Sequence, residues 1–81
     1  MTPDEVHQIA FARAPFGHRG YRERDVDELL DLVAAALEGR VTLTGEVLNR
    51  GFRAPSGVFG RGYHPDQVDA FVDRVRREFG L

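Results

Sequence analysis

The chain is written twice. Arg19-Gly20-Tyr21 recurs as Arg61-Gly62-Tyr63, and Val26, Asp27, Asp31 and Val33 recur as Val68, Asp69, Asp73 and Val75, always 42 residues on. Upstream the correspondence continues at 41 residues, pairing Glu5 with Glu46, Val6 with Val47 and Phe11 with Phe52, so the second copy holds one extra loop residue. A repeat of this kind outranks any local motif, because a short unit that cannot bury its apolar face alone must bury it against its neighbour. The expected organisation is one domain, 1–81, made of repeat one (1–39) and repeat two (43–81).

Each copy reads as a short helix, a loop and a long helix. Thr2-Pro3-Asp4-Glu5 combines a capping hydroxyl, proline at the first helical position and a glutamate three residues after the cap, which predicts a helix to about Ala10 with Val6 and Ile9 inward. Residues 11–22 carry Pro15, Gly17 and Gly20 and lose all periodicity, which marks a loop. Apolar residues then recur at Val26, Leu29, Leu30, Val33 and Leu37, an amphipathic helix over about 23–38 with Gly39 at its end. In the second copy Thr44 caps a short helix to about Arg50, and residues 52–64 form the loop. A long helix follows from Pro65, with Val68, Phe71, Val72, Val75 and Phe79 on one face. No stretch alternates with period two, so the class is all-α. The short link over residues 39–43 turns the chain back on itself, and each loop reverses it again. The two long helices are therefore expected parallel, with both loops at one end. Val26, Leu30, Val33, Val68, Phe71, Val72 and Val75 form the expected shared core.

Size and charge narrow the function. A chain of 81 residues buries only ~60% of its unfolded surface, and without cysteine it has no disulfide or thiolate metal site to supplement a thin core. No apolar run approaches the ~20 residues of a membrane span, and no secretory h-region is present, so a cytoplasmic protein is expected. Six of the eleven arginines lie in acid-free stretches at residues 11–22 and 50–65, while all thirteen acids lie elsewhere. The loops are basic and the helices acidic. His7, His18 and His64 share no metal-ligand spacing, and the glycines from Gly57 to Gly62 do not follow a phosphate loop's pattern. No enzyme and no cofactor are expected.

The motif Arg-Gly-Tyr, four residues, Val-Asp, one residue, two apolar residues and Asp, behind a phenylalanine-led loop, resembles the N-terminal domain of the DivIVA/GpsB family of bacterial division and polar-growth scaffolds. The resemblance covers nearly the whole chain in two copies. It implies a pseudo-dimer of short helix, loop and long helix, peripheral on the inner face of the cell membrane. It implies membrane-docking residues at Phe16, Arg19, Phe59 and Arg61. It also implies peptide-binding residues at Tyr21, Asp27, Asp31, Tyr63, Asp69 and Asp73, which would hold arginine-bearing cytoplasmic tails of cell-wall membrane proteins. Homo-oligomers are compatible with it. The chain departs from the family at Arg22 and His64, weaker helix starters than aspartate, and these 81 residues hold no long coiled-coil stretch.

Other readings of the same residues remain open at this level. The aspartates also suit the wet faces of amphipathic helices, and the loop aromatics suit local packing. A protein-interaction module that never touches membrane is the first alternative. Single-strand nucleic-acid binding through the arginine and phenylalanine loops is the second, though the acidic helices oppose it.

Overall fold

The computed structural model describes residues 1–55 and 60–81. Four helices follow in chain order, α1 (Pro3–Gln8), α2 (Glu23–Leu37), α3 (Gly45–Asn49) and α4 (Pro65–Phe79), and among the described residues there is no β-strand. The alternation of short and long elements is as the spacing predicts.

Their ends have local causes. The Thr2 hydroxyl accepts the Glu5 N–H at 3.1 Å and the Thr44 hydroxyl accepts the Val47 N–H at 3.3 Å, each satisfying a first-turn donor that has no partner within the helix. Arg22 offers α2 no side-chain cap, whereas His64, the other departure from the expected starter, accepts the Asp66 N–H on Nδ1 at 3.2 Å. Helix α2 stops at Gly39, which sits at φ 77 and lets the Gly39 and Arg40 amides turn back to Ala36 and Ala35 at 3.0 and 2.9 Å. A Cβ would strain that left-handed turn.

One core cluster draws on all four helices. Val6 from α1, Leu48 from α3, Val26, Leu29, Val33 and Ala34 from α2, and Val68, Phe71, Val72 and Val75 from α4 pack together with Leu43 of the link. Val6, Val26, Val33, Val68 and Val75 are fully buried. Leu30, expected in this core, is only partly buried, and Leu29 takes the inner place. Both fit the stripe with Val26 and Val33, at i+3 and i+4, on opposite edges about 100° apart, and packing against the other helices takes the Leu29 edge inward. Phe11 and Phe52 are half-buried and pack against the cluster. Among the described residues no helix is long and apolar enough to cross a membrane.

Candidate functional site

The two Arg-Gly-Tyr triplets meet. Tyr21 and Tyr63 exchange backbone hydrogen bonds, Tyr21 N–H to Tyr63 O at 3.1 Å and Tyr63 N–H to Tyr21 O at 2.9 Å. On either side the His64 N–H donates to Ala12 O and the Arg22 N–H to Arg53 O, both at 2.8 Å. These bonds are counterparts under the sequence offsets, since 22 maps to 64 and 12 to 53. The loops cross through an antiparallel contact.

Glycine is required there because the backbones touch. A Cβ on Gly62 would lie 1.8 Å from Tyr21 O, and one on Gly20 would lie 2.4 Å from Tyr63 O. The arginines of the triplets close the crossing from outside. The Arg61 guanidinium donates to Ala14 O through Nε at 3.1 Å and Nη2 at 2.5 Å, and Arg19 Nη2 donates to Pro55 O. Each holds the other half's loop.

The tyrosines also work across the halves. The Tyr21 hydroxyl donates to Asp69 at 2.8 Å and the Tyr63 hydroxyl to Asp27 at 2.9 Å. Partial burial and the Asp27 carboxylate push the Tyr63 phenol up to about 12, and the bond to Asp69, followed by burial, raises Tyr21. A negative acceptor favours the protonated phenol in both. Phe11 packs on Tyr63 and Phe52 on Tyr21, with ring centroids 5.5 and 5.0 Å apart.

A further pair of contacts escapes motif reading. Asp25 accepts the Arg53 N–H at 2.9 Å, and at its counterpart Gln67 accepts the Ala12 N–H at 2.8 Å. The Arg53 amide holds the Asp25 carboxyl below its ordinary value, helped by the guanidinium 3.4 Å away. The one available signal was that two acceptor side chains stand 42 residues apart.

The expected site residues thus divide. Asp27 and Asp69 each hold a tyrosine of the other half, while Asp31 and Asp73, one turn later, are exposed and without a side-chain partner among the described residues. Phe16 is 92% exposed. Arg19 and Arg61 are engaged with carbonyl oxygens, and Phe59 lies outside the described residues. Beside Asp27 and Asp31 opens a groove of about 740 Å³, walled by Glu23 and Glu28 of α2 and also by Arg13, Arg22, Arg24 and Arg61, with Arg24 paired to Glu28 at 3.6 Å. Arg13 bridges the Glu23 carboxylate at 2.9 Å and Arg61 O at 3.0 Å. Asp69 and Asp73 do not line this groove.

The fold is a small helical domain, two halves locked through reciprocal loop contacts beside an open groove along α2 whose charged lining is evenly divided between acids and arginines. The chain is 54% identical over 33 residues to the cell wall synthesis protein Wag31 of Mycobacterium tuberculosis, and equally so to the Wag31 proteins of Mycobacterium leprae and Mycolicibacterium smegmatis. The match covers 41% of this chain but 13% of the first relative and 12% of the others, so the chain spans about an eighth of the length of these relatives. Wag31 is a DivIVA-family protein, and the likeness supports a DivIVA-like relation for part of this chain. The chain matches no protein-family model, and no solved structure matches it.

Proposed function

We propose that the chain is a non-enzymatic scaffold or adaptor in bacterial cell-wall growth, at the septum or the pole. In this reading it is two DivIVA-like repeats, 1–39 and 43–81, folded on one another as a covalent stand-in for a dimer with parallel long helices. The reciprocal bonding of the two Arg-Gly-Tyr triplets supports that arrangement. The likeness to the Wag31 proteins supports the cell-wall role.

The observation that carries the binding reading is the groove on α2, where the Asp31 carboxylate stands beside Asp27 without a partner among the described residues. An arginine on a cytoplasmic tail would meet both. A charge-assisted hydrogen bond contributes about 1.5 to 3 kcal/mol when sheltered, and an exposed ion pair about 1 kcal/mol or less, so affinity is expected to be modest. The first half is the stronger site, since Asp69 and Asp73 lie away from the groove. Fluorescence anisotropy with an arginine-bearing tail peptide tests this. Asp31→Ala should weaken binding about fivefold, Asp73→Ala should leave it nearly unchanged, and both should keep wild-type helicity. Equal loss in the two variants, or no binding by the wild type, removes the groove.

Docking on the anionic inner face of the membrane belongs to the same proposal, with Phe16 as the anchor. An exposed phenylalanine in an acid-free loop is the composition of an interfacial contact. A module that binds tails without membrane is the second reading. It is favoured by the engagement of Arg19 and Arg61 with backbone carbonyls, which reduces their availability to lipid.

A further inference from the structure

Leu29 on α2 stands where α4 has Phe71, and the two surroundings differ accordingly. The Phe71 ring of the second half meets Phe11 of the first edge-on at 5.9 Å, and one turn later Arg74 reaches Glu5, again across the halves, at 3.4 Å. The counterparts are Leu29 and Leu32 of the first half and Phe52 of the second. There the smaller side chains leave a recess of about 340 Å³ between α2 and α3, lined by Leu29, Leu32, Val47, Leu48 and Phe52. Asp25, Glu28, Arg50 and Arg53 line it as well, and Leu32 is 37% exposed. What it lacks is a ring like the one Phe71 supplies across the molecule.

The recess adjoins the groove beside Asp27 and Asp31, for Glu28 lines both. A ligand lying over that shared wall could use the two together. Three residues of extended chain cover ~10 Å, about the width of a helix with its side chains. Resting on the tail-binding reading above, we infer that the recess between α2 and α3 takes an aromatic side chain of the same tail, about three residues from the arginine held at Asp27 and Asp31. The partner is then a peptide of the form Arg-x-x-Phe rather than any arginine-bearing segment. Asp27 and Asp31 take the cation and the recess takes the ring.

Two labelled synthetic peptides, one carrying Arg-Gly-Ser-Phe and the other Arg-Gly-Ser-Ser, decide the matter by anisotropy titration. The wild type should bind the first at least tenfold more tightly. Leu29→Phe rebuilds the residue present in the other half and fills the recess from within, so it should abolish the preference while keeping affinity for the serine peptide. Leu32→Ser changes an exposed side chain and should reduce the preference with the fold intact. Equal binding of both peptides by the wild type overturns the recess while the groove stands. Binding of neither overturns the groove and this inference with it.

Discussion

The Tyr63 hydroxyl donates to Asp27, 36 residues earlier in the chain, at 2.9 Å, and Tyr21 answers with Asp69 at 2.8 Å. Two residue types that would suggest a ligand site when read within one repeat bond to each other across the two halves, Tyr63 taking one oxygen of Asp27. Their half-exposed setting limits each bond to about 1 kcal/mol. Tyr63→Phe and Tyr21→Phe should therefore each lower the thermal midpoint by roughly 4 to 8 °C, read by circular dichroism. An unchanged midpoint would leave these phenols free for a ligand.

The backbone crossing is the least tolerant point. Gly62→Ala drives a Cβ to 1.8 Å from Tyr21 O and 2.9 Å from Pro55 Cγ, and neither neighbour can move without parting the loops. A loss of about 3 kcal/mol or more is expected. Gly45→Ala is the control, since nothing lies within 4 Å of its Cβ, and it should stay within ~0.5 kcal/mol of the wild type. Similar melting curves for the two variants would show that the crossing contributes little.

Alkaline pH should open the molecule through the tyrosines. Their folded-state values are raised above the ordinary 10.0, Tyr63 to about 12. The stability they contribute is therefore fully present below about pH 10 and lost as pH rises through the folded value. The phenolate absorbance of Tyr63 should titrate near 12, and the thermal midpoint should fall between pH 10 and 12. Tyr63→Phe should flatten that fall.

Acid works with the opposite sign at Asp25. Its folded-state value lies below the ordinary 3.8, chiefly through the Arg53 amide. Its contribution is present above that value and fades as pH drops through the lower, folded one. Asp25→Asn keeps a side-chain acceptor for the amide, as Gln67 does naturally, and should be less sensitive to acid than the wild type. Identical acid transitions would assign the sensitivity to other carboxylates.

The proposed membrane docking rests on Phe16. Full insertion of one phenylalanine contributes ~1.5 to 3 kcal/mol, so Phe16→Ser should cut co-sedimentation with anionic liposomes roughly tenfold or more. Added salt should also reduce it if the basic loop takes part. Wild type and variant pelleting alike, or neither pelleting, leaves the membrane-free module.

The sequence by itself determined the elements. Thr2 and Thr44 as caps, Pro3 and Pro65 as first helical residues and the stripes from Val26 to Val33 and from Val68 to Val75 are all local chemistry, set by neighbours within a turn or two. Offsets of 41 and 42 also named the residues that would be equivalent. Which residue meets which equivalent was decided by tertiary structure. The spacing of Tyr21 to Asp27 invites a contact within one half, yet the loops cross and carry each tyrosine to the other half's aspartate. Arg19 and Arg61 likewise turn to carbonyls 36 and 47 residues away. Leu29 and Leu30 both fit the apolar stripe, and only packing against α4 and the short helices selects Leu29 for the interior. Periodicity is a property of a helix alone, whereas these pairings depend on the path of two loops through space, which no local spacing records.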